Sequence, residues 1–296
     1  MAQSSEAKTV PITPIEVAVI NASDYLNDKD NYIENVVVQA LQKQVDKHFA
    51  PAWGITAHLR FIGGDSAHNY ADMIKRHPWA QEAWWLVLLD NSDVAGLRGY
   101  HDVTTEGRPL GKVFAKTDAQ YDRDWTVGAS HELLEMLVDP GMNLTGLKPT
   151  NTATEQSTTG QLYAYEVCDP CDADQYSIRV NKQHDVSVSN FVYPAWFEWF
   201  QKKPGIQFDY KKSLNEPFEL LRPGGFSNVL DIPYGTGWRQ ISSTPAQSSD
   251  IRYLRYRLRP LVGSRRERRL GTIWSGGGPI ESDQIIQSNG GAIPSN

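Results

Sequence analysis

One histidine and two glutamates within a short segment have the residue types and the spacing needed for metal chemistry. His131 and Glu135 are four residues apart, so on an α-helix they would lie on one face, about 6 Å from each other. An imidazole nitrogen and a carboxylate oxygen placed in this way can bind one Zn²⁺ ion. Glu132 would lie beside the ion without binding it, where a carboxylate can accept a proton from water. The segment therefore predicts a metal site with an adjacent candidate catalytic base.

A third protein ligand is expected from further along the chain. Glu166 and Asp169 follow the segment after roughly thirty residues, and Asp139 follows His131 by eight residues on nearly the same helix face. We rank the candidates in the order Glu166, Asp169, Asp139. Asp139 comes last because it precedes Pro140 and equally suits a turn that ends the helix. Zn²⁺ is the expected ion, with another divalent metal as the alternative, since Glu135 adds negative charge to the site.

Three further side chains are weaker candidates. Tyr193 and His184 are candidate hydrogen-bond donors to an oxyanion, although Tyr193 lies in an aromatic cluster and equally suits packing. His101, in the sequence GYHD, is a candidate extra ligand from a loop, where a solvated histidine is the alternative.

The two cysteines of the chain, Cys168 and Cys171, form the sequence CDPC. A redox CxxC pair needs a lowered thiol pKa, whereas the aspartates around this pair would raise it. We interpret it as a structural turn or a labile disulfide. Two cysteines also exclude a four-cysteine zinc ribbon and a disulfide-stapled scaffold.

The composition favours a globular protein. Of 296 residues, 40% are hydrophobic and 22% are charged, which is too apolar for general disorder. No apolar run approaches the length of a membrane span, and the first twenty residues lack the pattern of a secretory signal. The sequence therefore predicts a soluble protein without membrane association, located in the cytoplasm or associated with a virion.

Charge is distributed unevenly along the chain. The formal net charge is -6, yet the segment 251–270 contains eight arginines and one glutamate. Two tyrosines between these arginines would suit nucleic acid, but the acidic remainder of the chain opposes that partner. We expect the segment to bind an acidic protein partner or the acidic body of the chain itself. A homo-oligomer is a further possibility that the sequence does not decide.

Hydrophobic periodicity predicts an α+β chain in which strands and helices alternate. A continuous apolar run at 83–89 is typical of a central strand, and apolar positions at spacings of three and four predict a long helix at 31–49 and a buried one at 124–138. A polar loop is expected before Pro109, and a threonine-rich loop at 145–160. The other expected elements are a helix at 70–76 and strands at 15–20, 55–62, 110–115, 161–167, 176–181, 186–192 and 251–258.

The expected organisation has four parts. Residues 1–14 form an N-terminal arm, and 15–212 form the metal-binding domain. Residues 213–274 form a smaller C-terminal extension that includes the arginine-rich strand, and the low-complexity residues 275–296 form a flexible tail.

The order of these elements resembles the N-terminal half of zincin metallopeptidases across about residues 15–140. The resemblance implies a zincin-like mixed sheet with a long N-terminal helix and a buried HExxE helix, in which Glu135 replaces the second histidine of HExxH. It also implies that residues 111–115 form an exposed edge strand that aligns a peptide substrate. The motif SHExxEMxxDP, with a later EVxDP that contains Glu166, is similar to a group of uncharacterised bacterial and phage proteins.

Two functions follow as expectations. The first is a zinc-dependent metallopeptidase in which Glu132 is the catalytic base, Tyr193 assists, and a peptide or protein is the substrate. The second is a non-catalytic zincin-like structural protein of a phage virion or another assembly, docked to its partner through the arginine-rich region. The sequence alone does not decide whether the protein is an enzyme.

Overall fold

The structure is a computed structural model that describes residues 14–64, 69–93, 98–150, 159–201, 203–232 and 238–243. Over these residues the chain is a mixture of helices and several sheets, which confirms the predicted α+β class. The arginine-rich segment 251–270, its predicted strand and the tail at 275–296 lie outside the described residues, as does nearly all of the predicted N-terminal arm.

The first sheet positions the predicted metal segment. In the described part of the chain it has five strands in the order β2-β1-β3-β5-β4, and the first four in this order are parallel while β4 is antiparallel to β5. Its strands are β1 (Ile15–Asn21), β2 (Ala57–Ile62), β3 (Trp84–Leu89), β4 (Gly99–Val103) and β5 (Pro109–Phe114). Strands β1, β2, β3 and β5 were predicted to within two residues at each end.

Both faces of this sheet are covered by helices, because its central strands are apolar on both sides. One face packs against the helical segment α1 (30–53) and against α4 (Trp125–Val138). The other face packs against α2 (Tyr70–Arg76) and a short 3₁₀ turn, Pro78–Gln81. A short helix α3 (Ala115–Gln120) connects β5 to the loop before α4.

The long N-terminal helix is present and extends past its predicted end. A π-helical turn, Val45–Phe49, lies just before Pro51, whose missing N–H would interrupt regular α-helical hydrogen bonding. The helix continues to Trp53 and ends at Gly54, which has the left-handed φ of +68° that favours glycine.

The predicted edge strand is wrong. Residues 111–115 were expected at an exposed edge, but β5 is paired with β3 on one side and with β4 on the other. Strand β4 is the terminal strand of the described sheet, and it was predicted as part of a polar loop. Its sequence, GYHDV, lacks the alternation of apolar and polar residues that identifies a strand. Glycine and histidine take the positions that face the interior, where an ordinary strand has apolar residues.

The rest of the described chain forms a four-stranded antiparallel sheet and a hairpin. The sheet has the order β11-β10-β7-β6 and joins β6 (Thr145–Pro149) and β7 (Gly160–Ala164) to β10 (Phe226–Ile232) and β11 (Arg239–Ser242). The hairpin consists of β8 (Gln175–Arg179) and β9 (Asp185–Ser189). Strand β6 was predicted as a loop. Strand β10 pairs with β7, so one sheet contains residues from both sides of the boundary predicted near residue 212.

Across the described ranges, no helix has the length and apolar character that crossing a membrane requires.

Candidate metal centre

Helix α4 carries the predicted segment and is buried along most of its length. It packs between strands β4 and β5 on one side and β9 on the other, and every residue from Ala129 to Val138 is buried. Ser130 ties the helix to the hairpin, since its hydroxyl accepts a hydrogen bond of 2.6 Å from the backbone N–H of Ser189 and donates one to the carbonyl of Val127. The helix therefore holds its polar residues rigidly inside the protein.

His131 lies between two carboxylates. Its Nε2 is 3.3 Å from Oε1 of Glu135 and 3.3 Å from Oδ1 of Asp169. Ligand atoms that share a tetrahedral ion through bonds of about 2.0–2.1 Å are about 3.3 Å apart. Each of these two distances therefore fits a pair of metal ligands. The three residues whose ligand atoms all lie within 4.8 Å of one another are His131, Glu135 and Cys168.

Glu135 is held in place by the backbone of the CDPC turn. The N–H groups of Cys168 and Asp169 donate hydrogen bonds of 3.1 and 3.3 Å to its Oε1. The 3₁₀ turn Asp169–Cys171 thus fixes both the carboxylate of Glu135 and the side chain of Asp169 beside His131. This turn explains why ligands so far apart in sequence meet.

A second group surrounds His101, which was expected in a loop but lies on strand β4 and is 4% exposed. Its Nδ1 is 3.7 Å from Oε2 of Glu135 and 3.8 Å from Oε2 of Glu132, and its Nε2 is 3.6 Å from Oε2 of Glu166. Ligand atoms of His101, Glu135 and Glu166 all lie within 4.8 Å of one another. Glu166 therefore belongs with His101, whereas Asp169 belongs with His131.

Two glycines make room for Glu132 against the sheet. A Cβ atom at Gly99 would lie 2.5 Å from Oε1 of Glu132, and a Cβ atom at Gly111 would lie 3.5 Å from its Cβ. The register places Gly111 opposite His101 on the face that α4 covers. The carboxylate of Glu132 is thus directed at strand β4, beside His101 and Glu135.

The charges of this cluster shift several pKa values. Burial alone would lower the pKa of His101, but the charges of Glu166, Glu132 and Glu135 outweigh burial and raise the pKa to about 9. The pKa of His131 is also raised, since Glu135 and Asp169 oppose the effect of its burial. Burial raises the pKa of Glu135 to about 8 against the charge of His131. The metal-free cluster therefore favours protons on these groups, and a bound cation would displace them.

An arginine and two more aspartates border the cluster. Asp172 Oδ1 is 4.0 Å from Nδ1 of His131 and 3.0 Å from Nη2 of Arg98. At this distance the carboxylate of Asp172 does not hydrogen-bond to the His131 ring and interacts with it through its charge. Asp118 lies 4.0 Å from the same arginine, and burial raises its pKa to about 7.

Three candidate residues lie apart from these groups. Asp139 is buried, but its two carboxylate oxygens accept hydrogen bonds from the backbone N–H groups of Asn143 and Leu144, and it belongs to neither group of ligand atoms. Tyr193 packs in the aromatic cluster, with its ring 5.9 Å from that of Phe191. His184 is exposed and bonds to Asn181. The described geometry therefore places Asp139 in a turn, Tyr193 in packing and His184 at the surface.

The CDPC sequence forms a structural turn, which was one of its two predicted interpretations. Cys171 donates its N–H to the carbonyl of Cys168 at 3.0 Å, and both thiols are free and buried. Burial raises both thiol pKa values well above the ordinary range, with Glu135 adding to the effect at Cys168. A reactive thiolate is disfavoured in the metal-free protein, while the sulfur of Cys168 stays within reach of a cation.

Sequence reasoning missed Arg98, Asp118, Asp172 and the ligand position of Cys168. The aspartates at 169–174 were the available signal for Asp172, but of these only Asp169 was considered as a ligand. Arg98 directly precedes β4 and Asp118 lies in the short helix α3, where no periodic pattern distinguishes a buried charge from a solvated one.

Comparison of the chain with family models, with curated proteins and with solved structures finds no match. The functional argument therefore rests on the sequence and structure of this chain.

Proposed function

We propose that the protein is a zincin-like, metal-dependent hydrolase that cleaves peptide bonds. The observation that carries the proposal is the pair of 3.3 Å distances from Nε2 of His131 to the carboxylates of Glu135 and Asp169. These donors suit Zn²⁺, which accepts both imidazole and carboxylate ligands. The order of strands and helices before the HExxE helix supports the same interpretation.

The residues have separate roles in this proposal. His131, Glu135 and Cys168 hold the ion, because their ligand atoms form one group. Asp169, which lies 3.3 Å from His131, is the alternative third ligand. When bound, the ion lowers the pKa of water and polarises a carbonyl group. Glu132 accepts the proton of the attacking water, because its carboxylate adjoins the ligand cluster and faces β4 rather than His131.

Strand β4 is the candidate position for the substrate. It is the last strand of the described sheet, and an extended peptide can pair with the outer edge of such a strand. Because β4 also carries His101 and adjoins Glu132 at Gly99, a peptide on this edge would lie next to the proposed base.

Burial favours a second function, a non-catalytic protein in which the metal stabilises the fold of an assembly subunit. His131, Glu132 and Glu135 are 8%, 5% and 3% exposed, and a structural metal site is closed to solvent whereas a catalytic one keeps an open position. A phage virion or another assembly is the setting that we propose for this alternative, with an acidic protein as the partner of the arginine-rich segment.

Metal analysis combined with a peptide-cleavage assay tests the proposal. We expect the purified protein to contain divalent metal, His131→Ala to lose it, and Glu132→Gln to retain metal and melting temperature while losing cleavage. His184→Asn is the matched control, since it removes an exposed histidine. Metal-free folded protein would refute both functions, and bound metal without cleavage of a broad peptide library would support the structural alternative.

A further inference from the structure

We propose that the site holds two divalent cations bridged by Glu135, one at His131 and one at His101. The inference deepens the proposed function and rests on the metal at His131. Its basis is that the described residues contain two groups of ligand atoms and that Glu135 belongs to both.

The two oxygens of Glu135 face different histidines. Oε1 lies 3.3 Å from Nε2 of His131, and Oε2 lies 3.7 Å from Nδ1 of His101. A carboxylate that directs one oxygen to each of two imidazoles has the arrangement of a bridging ligand. Two-metal sites are common in hydrolases, where the second ion helps to orient and stabilise the reacting oxygens.

Each histidine also has a separate carboxylate. Asp169 accompanies His131 at 3.3 Å, and Glu166 accompanies His101 at 3.6 Å. The ion at His131 would thus have one imidazole, one oxygen of Glu135, and Cys168 or Asp169. At His101, Glu135 faces Nδ1 and Glu166 faces Nε2, so the second ion would bind one of these two nitrogens. Ligand atoms of His101, Glu135 and Glu166 nevertheless all lie within 4.8 Å of one another. Imidazole together with carboxylates suits zinc, manganese and iron.

The charge of the cluster favours two cations over one. Six carboxylates lie in or next to the two groups, and the nearest permanent positive charge described there is Arg98. A single divalent ion at His131, with His101 as an imidazolium, would leave an excess of two negative charges in a buried environment, which is costly. Two ions would leave one. The carboxylates are those of Asp118, Glu132, Glu135, Glu166, Asp169 and Asp172.

Two glycines let Glu132 reach the surroundings of His101. A Cβ atom at Gly99 would lie 2.5 Å from Glu132, and one at Gly111 would lie 3.0 Å from Leu86 and 3.5 Å from Glu132. Oε2 of Glu132 lies 3.8 Å from Nδ1 of His101. The second cation would therefore adjoin the proposed base as well as Glu135.

Counting the bound ions tests the inference. Chelator-treated full-length protein is titrated with Zn²⁺ by calorimetry, and its metal content is measured after dialysis. We expect two ions per chain in the parent protein, one in His101→Ala and in Glu166→Gln, and none or a much weakened pair in Glu135→Ala. His184→Asn is the matched histidine control and should keep two. Glu166→Gln provides a second test of the same ion in case the buried His101 variant fails to fold, because Glu166 is only partly buried.

The outcomes separate the inference from the proposed function. One ion in the parent protein, unchanged in the His101 and Glu166 variants, overturns the two-ion site and leaves the metal at His131 intact. No ion in folded parent protein overturns both. Two ions that persist in both variants would place the second ion elsewhere and also overturn the inference. With Mn²⁺, electron paramagnetic resonance should show a coupled pair that becomes a single-ion signal in His101→Ala.

Discussion

The carboxylate of Glu132 occupies the space that a side chain at Gly99 would fill. A Cβ atom at residue 99 would lie 2.5 Å from Oε1 of Glu132 and 3.0 Å from its Cγ and Cδ. Because Gly99 begins strand β4 and Glu132 lies on helix α4, this contact determines how closely the helix approaches the sheet edge. The glycine is therefore a structural requirement of the proposed base.

Gly99→Ala is expected to displace the carboxylate of Glu132 without removing a metal ligand at His131. Overpacking of this kind costs about 1–3 kcal/mol of unfolding free energy. We predict a lower midpoint in urea unfolding, metal retained at His131 and at least tenfold slower cleavage. Val103→Ala on the same strand is the control. An alanine variant with parental cleavage would show that the position of Glu132 is not required.

Asp139→Ala is expected to lower stability while leaving the metal content unchanged. Its carboxylate accepts hydrogen bonds of 2.8 and 3.0 Å from the N–H groups of Asn143 and Leu144, and the buried acceptor closes the turn after α4. Losing such an acceptor costs about 1–3 kcal/mol. Thermal unfolding and metal analysis on one preparation check both parts. Loss of metal at parental stability would instead identify Asp139 as a ligand.

The sequence predicted the HExxE helix well because its apolar residues recur at helical spacing and Asp139-Pro140 ends it. Strand β4 was not predicted, since Gly99 and His101 take inward positions that an ordinary strand fills with apolar residues. A functional site often breaks the hydrophobic pattern in this way.

The grouping of the ligands could not be derived from spacing either. Glu166 was ranked above Asp169 as the partner of His131, but the two acids lie beside different histidines. The backbone of the CDPC turn at 168–171 decides this, because the N–H groups of Cys168 and Asp169 donate hydrogen bonds to Glu135 and the turn places Asp169 beside His131. Sequence distance contains no information about that turn geometry.

We predict that His48 lowers the free energy of unfolding as the pH falls. Burial, with a smaller effect from the charge of Lys43, lowers its pKa below the usual value of about 6.5. Its Nδ1 lies 3.0 Å from the hydroxyl of Tyr176, which accepts a hydrogen bond from Gln44 and can donate its own proton to a neutral ring.

The direction of this pH effect on stability follows from proton uptake by His48. Between pH about 6.5 and the lower folded-state pKa, the unfolded chain binds a proton that the folded chain does not, so acidification through this window favours unfolding. Urea unfolding of the parent and of His48→Gln at pH 7.5 and 5.5 measures the effect. The parent should lose more stability than the variant over this interval, while His184→Gln should behave like the parent. An equal loss in the parent and His48→Gln would exclude a contribution from His48.

Ending the chain at residue 213 is expected to unfold or strongly destabilise it, whereas ending it at residue 243 should not. Residues beyond 213 contribute Phe218 and Val229 to the main core, and the ring of Phe218 lies 4.6 Å from that of Tyr163. The indole of Trp196 also donates a 2.8 Å hydrogen bond to the carbonyl of Glu219.

Removing buried aromatic and aliphatic side chains costs several kcal/mol each, which is comparable with the whole stability of a domain. Circular dichroism melting of the two shortened chains, with metal analysis on the same samples, checks this expectation. The chain ending at 243 keeps every core residue described here and is therefore the matched control. A chain of residues 1–213 that melts like the parent and retains its metal would show that strands β10 and β11 form a separate extension, with the domain boundary near residue 212.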